Sequence, residues 1–396
     1  MPLMAVPARK LDELPGEGWT VHRQRPVLTE LPMQSRTDGM RPSWKVKWLV
    51  SPRHDALGLS SFVAGLAALD RSGEIRLSLA PLRAGRVEPH VLHLQVESLE
   101  TGRSRRIAYE VFDRADRLDV PTLAGVDVYF KQTLDRAYLA ELPTELRARV
   151  RPGGLTFATR LPGTRALGAQ SCFTALVAHA MSVGFEGLSA QVRRRLQDIY
   201  DIAGSLHVSE WERSPEDRVS GDVVFQTRLW PPVDGVAEDR RAVNHQRVAV
   251  VRALRQAFGA EDRVGLIHSG FAAAEAEDAL LARKVSRREY AVQLKTSLIS
   301  VNTDGLDGSP GFKIGESMAA GAAIVSQPFR FELPEPLVPE VHYLPFAEPE
   351  ECVAQCRRLL EDRELAERMR RANLLYYSRH VRPEAHVRNL LTWGFE

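Results

Sequence analysis

Apolar and polar positions alternate along this chain in two blocks, separated by a polar stretch. The first block opens with Trp44-Lys-Val-Lys-Trp-Leu-Val50, whose period-2 pattern predicts a half-buried strand. A loop, Ser51-Pro-Arg-His-Asp-Ala-Leu-Gly-Leu-Ser60, leads into an amphipathic helix over about 61–69. Strand-like runs recur at 75–79, 91–96, 107–112 and 126–130, and helices are expected over 134–148, 172–183 and 188–203. Strands alternating with helices imply a mostly parallel sheet. Residues 205–221, SLHVSEWERSPEDRVSG, carry a proline, a glycine and many charges and read as an interdomain linker. The alternation then restarts with a strand over 222–228 that ends in Arg228. A long helix (239–258), a strand (264–268), a helix (287–294) and a strand (298–302) follow. After a glycine-rich stretch come a strand at 341–344, helices at 348–360 and 364–377, and a last helix after Pro383. Residues 1–42 show prolines, mixed charges and no sustained period, as in an extension. The pattern thus predicts two doubly wound α/β domains, over 43–204 and 222–375, facing one cleft. In such sheets ligands sit outside the carboxyl ends of the strands.

Composition narrows the function classes. A length of 396 residues suits two domains rather than one core. Lysine and arginine number 53 against 51 acidic residues, a balance that argues against a nucleic-acid binder. Local basic runs, Arg193-Arg-Arg195 and Arg103-Ser-Arg-Arg106, read as solvated faces, with peripheral contact to an anionic membrane surface as the alternative. Three cysteines, Cys172, Cys352 and Cys356, cannot build a disulfide framework and fit a reducing, cytoplasmic setting. No apolar run approaches the ~20 residues that span a bilayer. The first residues lack the apolar core of a signal peptide.

The stretch with most chemistry is Gly308-Ser-Pro-Gly-Phe-Lys-Ile-Gly-Glu-Ser-Met-Ala-Ala-Gly-Ala-Ala-Ile-Val-Ser326. It holds two charges, Lys313 and Glu316, among small and apolar residues. The turn residues 304–310 end a strand, a helix starts near Phe312, and Gly321 is placed to stop it. Ser309 and Gly311 sit in the turn, where a bare backbone lets a bulky anion approach a helix start. Lys313 adds a full positive charge, and a carboxylate at 316 can accept two hydrogen bonds from a vicinal diol such as a ribose. The combination suits a nucleoside diphosphate. A tightly packed crossover would explain the glycines and alanines, but not the two charges.

The segment GFKIGESMAAGAAIVS resembles the nucleotide-sugar motif of glycosyltransferases of the GT-B fold, in a branch that includes spore-maturation-type enzymes. The resemblance implies the GT-B class of α/β fold, two Rossmann-like domains around a central cleft, with Glu316 on the donor ribose. It implies donor contacts from Ser309, Gly311, Phe312 and Lys313, and from Arg228, which ends VVFQTRLW as the family's arginine ends its first C-terminal strand. The family's second glutamate, eight residues before Glu316, is here Gly308 beside Asp307. Asn244-His-Gln-Arg247 matches the same branch, without an evident role. DVYFKQTL, residues 127–134, resembles the strand closing the first domain and would place Lys131 at the cleft. Residues 373–391 resemble the helical segment that crosses back, so that 376–396 returns to the first domain.

In this family the loop after the first strand lines the cleft. There Gly58 would approach a phosphate, Ser60 or Ser61 would cap the next helix, and His54 or Asp55 would act as general base. Asp113 and Asp116 are further base candidates. No Asp-x-Asp pair or other metal signature is present, so no metal and no cofactor are expected beyond the nucleotide-sugar co-substrate. The reading is a cytoplasmic hexosyltransferase-like enzyme of bacterial glycan biosynthesis. Its acceptor would be a glycan, a lipid-linked or small molecule, or a protein. A nucleotide-sugar epimerase and a non-catalytic partner of the same fold remain the alternatives.

Overall fold

The computed structural model describes residues 42–396 except 54, 83–87, 214–218, 234–235 and 310. His54, most of the N-terminal extension and part of the 205–221 segment therefore lie outside the described residues.

The first sheet contains β1 (Trp44–Val50), β2 (Ile75–Pro81), β3 (Val91–Ser98), β4 (Ser104–Glu110), β5 (Val128–Lys131) and β6 (Val150–Pro152). Its order is β2-β1-β3-β4-β5-β6. In β1 the alternation does what it predicts: Val46, Trp48 and Val50 are buried while Lys45 and Lys47 stay out. The sheet is mixed rather than mostly parallel, because β3 runs antiparallel to both β1 and β4. The cause is the connection: residues 99–103 leave only a tight turn between β3 and β4, with Gly102 at φ 69°. A parallel crossover needs a dozen residues or more.

The second sheet contains β7 (Ser220–Thr227), β8 (Val264–Leu266), β9 (Ser297–Asn302), β10 (Ala323–Ser326) and β11 (Leu344–Pro345). Every neighbouring pair is parallel, in the order β11-β10-β9-β7-β8. Strand β9 is buried along its whole length, as expected for a parallel strand covered on both faces. The strand order reverses between β7 and β9, and a doubly wound sheet opens its crevice at such a switch point.

Helices α1 (Ser60–Ser72), α2 (Val120–Gly125), α3 (Thr144–Arg147), α4 (Thr164–Val183), α5 (Leu188–Gly204) and α6 (Val208–Trp211) belong to the first half. The second half holds α7 (Ala237–Phe258), α8 (Gly270–Ala276), α9 (Arg287–Thr296), α10 (Lys313–Ala319), α11 (Pro349–Glu361), α12 (Arg363–Tyr376) and α13 (Pro383–Trp393). Helix α13 lies on α1, and its Val387, Leu390 and Leu391 join the apolar core of the first sheet. A Cβ at Gly65 would collide with the Pro383 carbonyl, so the two helices cross backbone to backbone.

Three local expectations are corrected. The helix expected over 134–148 is a 3₁₀ turn, Arg136–Leu139, and the single turn α3; Pro143 between them cannot continue a helix. The 205–221 segment is no polar linker along its described part. It carries α6, whose Trp211 is fully buried between Phe157 and Tyr290, each ring 6.2 Å away. Helix α4, 20 residues long, is apolar enough to cross a membrane by length and composition alone, where no such run was expected.

Candidate active site

The loops at the carboxyl ends of β7 and β9 carry the expected donor residues. Arg228 directly follows β7, exposed, with its guanidinium 5.3 Å from the centre of the Trp230 ring. Two residues of α7, one turn apart, shape this end. Asn244 accepts from the Trp230 N–H at 2.9 Å and donates to its carbonyl at 2.8 Å. Arg247 is 7% exposed and donates to the carbonyls of Arg228 (2.7 Å) and Asp304 (3.0 Å) and to Thr303 Oγ1 (3.3 Å). It therefore clamps the two strand-end loops across the switch point. Burial, and then the neighbouring Arg228 cation, bring its pKa down to about 10. This gives the Asn244–Arg247 segment the role its sequence left open.

Helix α10 begins at Lys313. It is held to β9 by a polar chain: Ser317 Oγ donates to the Lys313 carbonyl at 2.7 Å and lies 2.8 Å from Ser300 Oγ. Part of the Lys313 stem reaches the surface, but its ammonium is buried, 5.9 Å from the ring centres of Phe225 and Tyr290. That ammonium has no hydrogen-bond partner among the described residues. Burial and then Arg247 push the Lys313 pKa down to about 7, against the opposing pull of Glu316. Glu316 is fully buried; its Oε1 accepts from Arg287, and its Oε2 has no partner among the described residues. The Arg287 guanidinium lies 4.7 Å over Trp211. Three arginines, Arg247, Arg287 and Arg228, and the Glu316 carboxylate thus act on the buried Lys313 ammonium.

The surrounding turn is tight. Ser309 is 2% exposed, and its carbonyl accepts from the Gly305 N–H at 2.8 Å. Gly311, at φ 56°, would have open space beside a Cβ, and Phe312 forms the half-buried step into α10. A Cβ at Gly315 would come within 3.2 Å of the Thr156 carbonyl, so α10 lies against the first domain. Because α10 has only seven residues, the anion-binding case rests on the four side-chain cations rather than on a helix dipole.

On the first-domain side, Asp55 accepts from the Gly58 N–H at 3.1 Å and lies 3.1 Å from His90 Nδ1. Burial pushes the Asp55 carboxyl up, but the bonds from His90 and Gly58 outweigh it and hold the pKa below its ordinary value. Gly58 differs from expectation: its N–H is engaged by Asp55, and a Cβ there would sit 2.6 Å from Asp55 Oδ2. Neither Ser60 nor Ser61 caps α1; Leu59 holds that position, and Ser60 Oγ instead donates to the Leu57 carbonyl at 2.7 Å.

The loop after β4 completes this side. Lys131 does not face the cleft. It is buried, 2.5 Å from Glu110 Oε1, and donates to the carbonyls of Arg114 (3.0 Å) and Arg117 (2.6 Å). From below, it fixes a loop that presents Asp113, Arg114 and Asp116. Arg114 is bonded to Asp116 at 2.8 Å and reaches Asp307 of the second domain at 3.7 Å. Asp113 is exposed at the loop surface; the enclosure around its carboxyl still raises its pKa, His90 opposes that, and the Asp307 and Asp55 charges add to it. Asp304 is raised to about 6, chiefly by burial. An acidic group drawn from both domains therefore adjoins the cationic one through the 304–307 loop.

Motif reading identified Arg228, Lys313 and Glu316, and these three lie together. It missed His90, Arg247 and Arg287, whose roles depend on partners distant in sequence. Only Arg247, spaced i, i+3 from Asn244 on a predicted helix, left a readable trace.

Residues 241–392 match the model of a family described as glycosyl transferase-like. No curated protein matches the sequence significantly. Among solved structures, an alpha-glucosyltransferase bound to UDP-glucose and DNA containing an abasic site shares 8% identity over 89% of this chain and 100% of that chain, with a TM-score of 0.40. A UDP-GlcNAc 2-epimerase from Neisseria meningitidis bound to UDP-GlcNAc shares 11% identity over 88% of this chain and 84% of that chain, with a TM-score of 0.36. An alpha1,3-fucosyltransferase shares 11% over 91% and 93%, TM-score 0.37. The family match runs from the helix that bears Asn244 and Arg247 to the helix that returns to the first sheet.

Proposed function

We propose that this protein transfers a sugar from a nucleoside-diphosphate sugar to an acceptor hydroxyl. The observation that carries this reading is the buried, unpartnered Lys313 ammonium beside Arg228 and Arg247 at the strand switch point. A buried cation without a partner is costly unless an anion meets it. Three cations around one point suit the charge of a diphosphate, which grows as the sugar departs. Glu316 Oε2, buried and unpartnered on the same helix, is the acceptor for the ribose hydroxyls. In an inverting reaction Asp113 is the base. Its raised pKa suits proton transfer better than the lowered pKa of Asp55, whose carboxylate is held by His90 and Gly58. The acceptor oxygen would lose its proton to Asp113 as it bonds the anomeric carbon, and the bond to the diphosphate breaks toward the cations.

Calorimetric titration with UDP, GDP, dTDP and CMP separates the roles. Loss of a charge-assisted hydrogen bond is worth ~1.5–3 kcal/mol, so Glu316→Gln and Lys313→Ala should each weaken nucleotide binding about tenfold or more. Asp113→Asn should leave that affinity unchanged and lower kcat by about 10² or more. If folded Glu316→Gln and Lys313→Ala proteins bind as tightly as the parent, the donor site lies elsewhere. An undiminished kcat in Asp113→Asn removes only the assignment of the base.

A further inference from the structure

Lys313 and Glu316 stand three positions apart on α10, a spacing at which a lysine and a glutamate ordinarily pair along a helix. The Lys313 ammonium and the Glu316 carboxylate are both buried, and a buried charge without a partner is costly. Yet the two do not bond. The Lys313 ammonium and Glu316 Oε2 each lack a hydrogen-bond partner among the described residues. Glu316 Oε1 is taken instead by Arg287, the first residue of α9.

Arg287 is held in place to make that bond. The start of α9 is fixed by a capping box: Ser286 Oγ accepts from the Glu289 N–H at 3.2 Å, and the Ser286 N–H donates to Glu289 Oε2 at 2.8 Å. The Arg287 guanidinium lies 4.7 Å from the ring centre of Trp211 and 5.9 Å from that of Tyr290, so two aromatic rings steer it. Trp211 is fully buried, and its helix α6 is tied to α9 by the Glu210–Arg288 ion pair at 2.7 Å. The Arg287 side chain is 47% exposed, against 1% for Glu316. It neutralises the carboxylate while keeping much of its own hydration, and a guanidinium is more weakly hydrated than an ammonium.

Resting on the donor reading above, we propose that Arg287 is a positioning residue: by holding Glu316 Oε1 it prevents a Lys313–Glu316 pair and keeps both charges of α10 available to one nucleotide. Without it α10 would satisfy itself, and a nucleoside diphosphate would have to break an internal ion pair before it could bind. The other groups around Lys313 offer no substitute partner. Arg247 and Arg228 are cations, Phe225 presents only its ring, and the Tyr290 hydroxyl, whose pKa burial drives up, stays protonated.

Calorimetric titration of UDP, GDP and dTDP at pH 8, in two buffers of different ionisation enthalpy, reads affinity and proton uptake together for the wild type, Arg287→Met and Arg287→Lys. In the wild type the Lys313 pKa is lowered to about 7, by burial first and then by Arg247. The amine is therefore mostly neutral at pH 8 and gains a proton as the diphosphate arrives, so uptake should approach about one proton per nucleotide. In Arg287→Met, Glu316 already holds the ammonium; uptake should fall close to zero, and affinity at least about tenfold. Arg287→Lys restores a cation beside Trp211 and should recover most of both. A merely structural role would weaken binding without altering the proton count. Wild-type uptake near zero overturns the positioning role and leaves the donor site standing. So does an Arg287→Met protein with the wild-type proton count, or an Arg287→Lys protein no better than Arg287→Met. A wild type that binds none of the three nucleotides overturns both readings.

Discussion

Lys313 is held against its own charge, and two opposite effects on stability and binding follow. Its pKa falls from 10.5 to about 7 on folding, so between these values the unfolded chain binds the extra proton. Stability from this group therefore rises with pH across that window, and the penalty is complete below about pH 7. Replacement by an uncharged side chain of similar length should relieve it. At pH 6, Lys313→Met should gain at least about 1 kcal/mol, or about 2–4 °C in Tm for a domain of this size, and should lose nucleotide binding. The gain should vanish above about pH 10.5. Scanning calorimetry at pH 6, 8 and 10.5 reads it; a Tm that falls at pH 6 would mean that the ammonium supports the fold. The sequence exposed this residue because a charge within a small, apolar run contradicts its surroundings. It could not expose Arg287, whose pairing with Glu316 spans 29 positions and needs both α9 and α10 in place.

At the scale of elements, the strands were readable where burial repeats with a clear period, and the errors occur where another constraint outweighs the period. β3 has a good strand pattern, but its direction is set by the short turn at Gly102. The 134–148 helix is lost to Pro143. Polar composition concealed α6, because only Leu206, Val208 and Trp211 anchor a segment that is otherwise mostly polar and charged. Lys131 closes β5 with a buried pair to Glu110, whose Oε2 also accepts from Tyr129. Lys131→Met strands that carboxylate and should cost about 3–5 kcal/mol in urea unfolding. Adding Glu110→Leu removes the stranded charge and should recover most of the loss. If the double variant is no more stable than the single, the pair matters for something other than charge compensation.

At the scale of the molecule, the two sheets are tied by more than the seam at Arg114 and Asp307. Arg388 on α13 is bonded to Glu74 beside β2 at 2.8 Å, and Arg382 to Glu212 at 2.7 Å. The contact of α13 with α1 is so close that Gly65→Ala should push the helices apart, at a cost of about 1–3 kcal/mol. Because α13 is the end of the second half, the same change should raise hydrogen exchange in both α1 and α13. Protection lost in α1 alone would show that the helices are not coupled. The last strand of the first sheet ends at Pro152, yet the helix that covers its core starts at Pro383. At about 5–20 residues per second, synthesis leaves that surface bare for roughly ten to fifty seconds. Leu66, Leu92 and Ile107 wait through that interval for Val387, Leu390 and Leu391 to be made. Birth order and folding order are thus reversed for these two halves: the half made first is completed by a helix made much later, and truncation before α13 would bare the first sheet as well.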